Sequence, residues 1–352
     1  MELNTALTHA PTNYNNANER ESIMRLGIIG AGAVAGFHAQ GIADIAGLTL
    51  TAVCDLNAET AGNVAQPWGA SVYTDYQEMF TGGVVDAVVI NTPHSLHKDM
   101  VVAAASHGVH VLVEKPMATT LEDAKIMEAA CEAAGVVMVV GMIQHFMAEK
   151  LALMAALQSG VLGRVLMIHD YRSTDYRPGS RPDWFFDKAV SGGGAFINIG
   201  AHCLDRSLWI GGAPAVRITS STLNRFGAPV ETDGTMELRL ANDVQLRITI
   251  VSDTPENIDE VLVVGERGTI TADPRRGTFM KIDGVRTVLH TSSADDIQNA
   301  FTAQLADFHA AVRGAAPAVS GTHAKHVVEL VLAAYESAQS GESVELTPAL
   351  VR

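Results

Sequence analysis

Aromatic side chains make up only 5% of the 352 residues, and cations are outnumbered: 24 Lys and Arg stand against 39 Asp and Glu, a formal net charge of -15. A polyanion is bound by clustered Lys and Arg that release counterions, so this balance argues against a nucleic-acid partner and disfavours an anionic membrane surface. Long hydrophobic runs are missing too. The longest, GVVMVVGMI at 135–143, falls far short of the ~20 apolar residues of a membrane helix, so nothing is expected to span a membrane. Cysteine is scarce: Cys54, Cys131 and Cys203 are odd in number and dispersed. They make no disulfide framework, offer no metal-ligand spacing and suit a reducing compartment, read here as cytoplasm. No metal site is expected, and no internal repeat or low-complexity segment is found.

Residues 1–22, MELNTALTHAPTNYNNANERES, are polar and lack the basic start and apolar core of a secretory signal. They are expected to form a disordered tail ahead of a native start at Met24. What remains is 47% hydrophobic and long enough for two domains, since single cores stop growing at roughly 250–300 residues.

From Arg25 to about Gly141 the short apolar runs RLGIIG, TLTAVCD, DAVVIN, VHVLVEK and VVMVVG alternate with helical patterns near 34–46, 57–66, 96–107 and 119–134. Continuous apolar strands are buried on both faces, and repeated βα units build a doubly wound parallel sheet. A further helix is expected near 147–159. Beyond Gly163 the runs alternate apolar with polar and are separated by Gly, Asn-Asp and Asp-Gly turns, the pattern of an open antiparallel sheet. Helices near 295–313 and 322–339 close the chain. The fold class is therefore α/β: a Rossmann domain at 23–145, then an α+β domain at 146–352 with a large open, mainly antiparallel sheet. The last helices could pack on either domain.

GIIGAGAVAGFH places Gly30, Gly32 and Ala35, with Ala33 and Val34 between them, as G-x-G-x-x-A between the first strand and a helix. The first glycine permits the tight turn, the second lets the backbone approach a pyrophosphate, and the small third residue packs helix on strand. The second strand ends at Asp55, where a carboxylate can accept hydrogen bonds from ribose hydroxyls. An N-cap role for Asp55 is compatible with that geometry. Leu56 and Asn57 bring no cation to a 2′-phosphate, so NAD is favoured over NADP.

At the carboxyl edge of the fifth strand stand Glu114, Lys115 and Pro116. Lys115 is either a solvated strand end or a cation aimed into the crevice. In GGGAFINIGAHCLD (192–205), Asn198 and His202 share a face if the stretch is helical. The segment HDYRSTDYRPGSRPDW (169–184) offers Tyr171, Arg172, Asp175, Tyr176, Arg177, Arg181 and Trp184. It reads equally as a wall for a polar substrate or as a solvated loop.

The glycine motif, NTPHSLH (91–97), VEKPMA (113–118), SGGGAFINIGAHCLD (191–205) and the closing sheet together resemble the Gfo/Idh/MocA oxidoreductases, across about 25–345. The resemblance implies NAD-dependent oxidation of a secondary hydroxyl on a sugar, glycoside or cyclitol. It implies that Lys115 positions and polarises that hydroxyl and that His202 is the acid/base. Asn91, Thr92, Pro93, His97, Glu114 and Lys115 are expected beside the cofactor, with a helix-start role equally open for His97. Asn198 stands where many members have Asp and is expected to position substrate, because an amide cannot stabilise an imidazolium by charge. In GMIQHF, His145 stands where an Arg is common and is taken as a substrate contact. A homodimer or homotetramer through the C-terminal sheet is also implied. Relatives of two other kinds remain as alternatives, NAD-dependent redox-neutral glycosidases and non-enzymatic NAD-binding regulators.

Overall fold

The computed structural model describes residues 23–347. The tail expected at 1–22 lies outside the described residues. Strands β1 (Met24–Ile29), β2 (Leu48–Cys54), β3 (Ser71–Tyr73), β4 (Ala87–Ile90), β5 (His110–Glu114) and β6 (Met138–Gly141) form a parallel sheet in the order β3-β2-β1-β4-β5-β6. Helices α1 (Ala35–Asp44), α2 (Ala58–Ala65), α3 (Tyr76–Thr81), α4 (His97–Ser106) and α5 (Leu121–Ala134) make the crossovers. Leu26, Ile28, Val88, Val89, Val111 and Leu112 are fully buried, as strands covered on both faces require. Local chemistry sets the helix starts. Asn57 caps α2 by accepting from the Glu59 and Thr60 amides, Asp75 caps α3, and Thr120 caps α5. The strand order reverses between β1 and β4, and their carboxyl ends part to leave a crevice.

The second domain starts with α6 (Ala148–Gln158) and β7 (Val165–Thr174). A short α7 (Lys188–Ser191) and a π-helical turn, Phe196–Gly200, then lead into α8 (Ala201–Gly211). Seven strands follow: β8 (Ala215–Leu223), β9 (Asp233–Leu240), β10 (Gln245–Ser252), β11 (Asp259–Gly265), β12 (Gly268–Asp273), β13 (Gly277–Ile282) and β14 (Val285–His290). Helices α9 (Asp296–Val312) and α10 (Gly321–Ser340) and the short β15 (Val344–Glu345) complete the described chain. The sheet runs β14-β13-β12-β11-β7-β10-β9-β8-β15; β7 and β10 pair parallel, and the other pairings are antiparallel.

Its inner face, including Ile168, Met236, Leu238, Ile248 and Val261, is buried with α8, whose own residues are buried nearly all round. Beneath it lies a charged knot: Arg206 donates to Asp170 at 2.6 and 2.7 Å and to Asp259 at 2.5 Å. α10 packs on β8 and α8, whereas α9 returns to α1. There Phe301 stacks on Phe37 at 5.0 Å, and Gln298 donates to the Phe37 carbonyl at 3.1 Å.

Candidate active site

The crevice at the carboxyl ends of β1, β2, β4 and β5 is a cleft of about 960 Å³, at the upper end of the ~300–1,000 Å³ range of small-molecule pockets. One end is lined by Gly30, Gly32, Ala33, Val34, Asp55 and Leu56, and the middle by Asn91, Thr92 and Pro93. At the far end Glu114, Lys115 and Asn198 face Asp175, Arg181 and Trp184.

At the glycine-rich end the sequence dictates the backbone. Gly30 has φ +92°, and a Cβ there would sit 2.9 Å from the Asn91 carbonyl, so both conformation and space demand glycine. A Cβ on Gly32 would meet nothing within 4 Å, because that residue faces the open cleft at the mouth of α1. Ala35 is fully buried where α1 begins. Asp55 accepts from the Ala31 amide and the Asn57 amide, each at 2.9 Å. Asn57, not Asp55, caps the helix, so Asp55 braces the glycine turn from the cleft. Both amide atoms of Asn91 are buried without a hydrogen-bond partner. Native proteins rarely leave such groups unpaired. With the open approach at Gly32 and the carboxylate at Asp55, they fit a dinucleotide laid from Asp55 across Gly32 to Asn91.

The far end depends on the glycine run. A Cβ on Gly193 would collide with the Tyr335 hydroxyl, and one on Gly194 with the Glu231 carbonyl, so the chain enters the helix where no larger residue fits. The first turn is π-helical, a wider spiral often found at functional sites. Lys115 Nζ donates to both the backbone carbonyl and Oδ1 of Asn198, at 3.0 and 3.1 Å. Burial, abetted by Arg172 and Arg181, lowers the Lys115 ammonium to about 8. Burial and the charges of Lys115 and Arg172 hold His202 well below the usual imidazole range, which leaves it neutral. Its Nδ1 is buried and unpartnered, as is Asn198 Nδ2. A neutral imidazole can take a proton, and an ammonium can stabilise a developing alkoxide.

Several expected contacts fall elsewhere. His97 does not line the cleft; its Nδ1 and Nε2 face the Pro116 and Thr92 carbonyls at 3.0 Å each, tying α4 to the loops that do. His145 is a correction. Its Nε2 lies 2.8 Å from Asp205 Oδ1, which also meets His323 Nε2 at 2.7 Å, and its ring stacks on Trp209, away from the cleft wall. The ligand atoms of His145, Asp205 and His323 lie within 4.8 Å of one another, but both imidazoles sit at N–H···O distance from one carboxylate oxygen, the geometry of a hydrogen-bonded triad.

Tyr171 is a second correction, because side chains alternate along a strand. Inner-face Asp170 binds Arg206, whereas Tyr171 shares the outer face with Thr249 and Glu260. Arg172 points inward, 3.5 Å from Asp259, with a buried Nη1 that makes no hydrogen bond. Tyr176 is fully buried behind the wall, its hydroxyl donating to the Phe185 carbonyl at 3.1 Å. Asp175 and Trp184 do line the cleft, and so does His94, which sequence reasoning passed over. His94 Nδ1 meets the Ser191 carbonyl at 2.7 Å and its ring stands edge-on to Trp184. Glu231 and Tyr335 were missed as well; the glycine run was their trace in the sequence.

Two family models match: an oxidoreductase family with NAD-binding Rossmann fold over residues 24–142, and the GFO/IDH/MocA C-terminal domain over 151–271. The chain belongs to the GFO/IDH/MocA oxidoreductases. Among its relatives is the D-glucoside 3-dehydrogenase of Escherichia coli (strain K12), 29% identical over 349 residues, or 92% of this chain and 98% of that protein. The inositol 2-dehydrogenase of Rubrobacter xylanophilus is 27% identical over 73% of each chain. Among solved structures, GenD2 from gentamicin A biosynthesis in complex with NAD superposes with a TM-score of 0.82 at 25% identity, covering 97% of this chain and 100% of that one. Within this GFO/IDH/MocA member, no described helix is long and apolar enough to cross a membrane.

Proposed function

We propose that this chain is a dehydrogenase that uses NAD in preference to NADP to oxidise a secondary hydroxyl of a sugar, glycoside or cyclitol. The observation that carries the reading is Lys115, held on Asn198 at the end of the cleft and electrostatically coupled to a neutral His202. Bound NAD would supply the hydride acceptor. Lys115 would hold the reacting hydroxyl and stabilise its oxygen as the proton leaves, His202 would take that proton, and Asn198 Nδ2 would donate to a neighbouring hydroxyl. Asp175 and Arg181 offer further polar contacts, while Trp184, stacked on Phe185 at 3.8 Å, offers an apolar face to a ring. The preference for NAD rests on Asp55, which would repel a 2′-phosphate.

Among the relatives, the D-glucoside 3-dehydrogenase and inositol 2-dehydrogenase names point to the same substrate class. Three buried free thiols suit a cytoplasmic setting. The outer sheet face carries Met167, Leu262, Val264 and Val251, flanked by Glu237, Arg239 and Arg247. A second copy covering that stripe would give a homodimer or homotetramer, and a monodisperse monomer in solution scattering would refute it.

The test is incubation with NAD and a panel of sugars, cyclitols and glycosides, following NADH absorbance and product mass. The expected result is NADH in step with a product two hydrogens lighter. Cleavage of a glycoside without net NADH would replace this reading with the redox-neutral one. Binding of NAD without turnover, unaltered by Lys115→Ala, would favour a regulator.

A further inference from the structure

Glu231 and Tyr335 line no part of the cleft, yet they hold the turn that carries Asn198. A helix start exposes four amide donors, usually met in part by a local Ser, Thr, Asn or Asp. Here no local side chain caps the turn. The Glu231 carboxylate accepts from Gly194 N at 3.0 Å and Phe196 N at 2.9 Å, and its backbone carbonyl accepts from Ala195 N at 3.0 Å. Tyr335 Oη accepts from Ile197 N at 3.3 Å and donates to Glu231 Oε1 at 2.8 Å. All four donors, 194 to 197, are therefore met by two residues distant in sequence. The helical ladder begins at the next amide, Asn198 N to the Gly194 carbonyl at 3.2 Å.

We propose that Glu231, braced by Tyr335, is a positioning residue for Lys115: it fixes the turn whose Asn198 carbonyl and side-chain oxygen hold the lysine Nζ. The path is short and contiguous, from carboxylate to three amides, one turn of helix, and two acceptors on Nζ. The glycine run belongs to the same device, since only glycine admits Tyr335 and Glu231 so close. Besides Asn198, the charged and titratable groups that bear on Lys115 are Glu114, Arg172, Arg181, Cys203, His94 and His202. Burial pushes Lys115 down, and the two Asn198 oxygens are the acceptors that favour its ammonium form. Glu231 is itself raised above the ordinary carboxylate range by burial, so its ionisation depends on the amides it caps.

The inference rests on the reading of Lys115 as the group that holds the reacting hydroxyl, and two readouts keep the two apart. In the full chain, Glu231→Gln and Tyr335→Phe are compared with wild type by the pH dependence of Lys115 acetylation with acetic anhydride, read by peptide mass spectrometry. Loss of the clamp should move half-reaction about one pH unit lower, as acceptors are withdrawn from the ammonium. In turnover, kcat should fall about tenfold with KM for NAD unchanged. A variant that melts earlier but leaves Lys115 acetylation in place makes the clamp a mere cap and overturns the proposal. If Glu231→Gln fails to fold, Tyr335→Phe, which removes one oxygen, decides in its place. Shifted acetylation with no turnover of any substrate in wild type would sink the dehydrogenase reading and leave the clamp standing.

Discussion

Replacing Asn198 with Asp puts a carboxylate where an amide oxygen now lies 3.1 Å from Lys115 Nζ. Two unit charges at that distance attract by about 5 kcal/mol at an effective dielectric of ~20. The new carboxylate must itself be desolvated, so the net effect should resemble other close ion pairs, roughly 1–3 pKa units or about 1.4–4 kcal/mol. In wild type, with Lys115 near about 8 and His202 well below its usual range, both groups are in their working forms between the two values. kcat/KM should therefore rise through the low His202 ionisation, run level, and fall as Lys115 loses its proton above about 8. In Asn198→Asp the alkaline fall should move up by roughly 1–3 pH units, and the acid limb should move up too as the imidazolium gains a counter-charge. The assay is initial NADH formation across the pH range, with Lys115→Met as the control that lacks the alkaline limb. An active Asn198→Asp enzyme with an unmoved alkaline limb would refute the coupling. A wild-type rate that climbs through 8 would make neutral Lys115 the base and reverse the two roles.

Gly30→Ala forces a Cβ to within 2.9 Å of the Asn91 carbonyl at φ +92°; the left-handed conformation alone costs about 1–2 kcal/mol. NAD affinity by fluorescence titration should fall at least tenfold, and an unchanged Kd would contradict the role given to the turn. Asp55→Ala removes the acceptor of the Ala31 amide. The loss of about 1.5–3 kcal/mol expected for a charged hydrogen bond should weaken NAD more than NADP, and a preserved preference for NAD would place discrimination elsewhere. Asp259→Asn leaves the fully buried Arg206 and its neighbour Arg172 short of a countercharge. Breaking such a pair should cost about 3–5 kcal/mol in chemical denaturation. Despite its burial, Asp259 is held far below the ordinary carboxylate range by Arg172 and Arg206. Its contribution is present above the unfolded value of about 3.9 and lost below it, so the gap between wild type and variant should narrow as pH falls through that region.

Much of the first domain was legible because its strands are continuous apolar runs and its glycines stand at fixed offsets from a strand end. β3 and α3 were not: Ser71 and Val72 are exposed, so no hydrophobic period marks the strand, and α3 has only six residues. At the site, spacing located Lys115, Asn198 and Asp55. It could not tell Tyr171 from Arg172, since adjacent strand residues face opposite ways and the phase of the alternation depends on which face the sheet buries. His145 was misread for a related reason: its partners are Asp205 and His323, 60 and 178 positions away in sequence, and nothing local announces them. The helix read over 198–202 proved to open with a π turn. Its cause, a cap supplied by residues 231 and 335, lies outside any window that periodicity can see.

The return of α9 to α1 bears on how this protein could be cut or recombined. Leu305, Phe308 and Ala311 belong to the same buried cluster as Leu26, Ile28 and Ile42, and Gly41 is small where Leu305 and Thr302 press against it. A fragment ending near residue 145 would carry the whole parallel sheet and still lack one wall of its interior. The nucleotide-binding half is thus not a bead that can be lifted from the chain. A graft of this domain onto another substrate domain would have to bring 296–312 with it, and a proteolytic nick in the loop before α9 would loosen the cofactor site from a place distant in sequence.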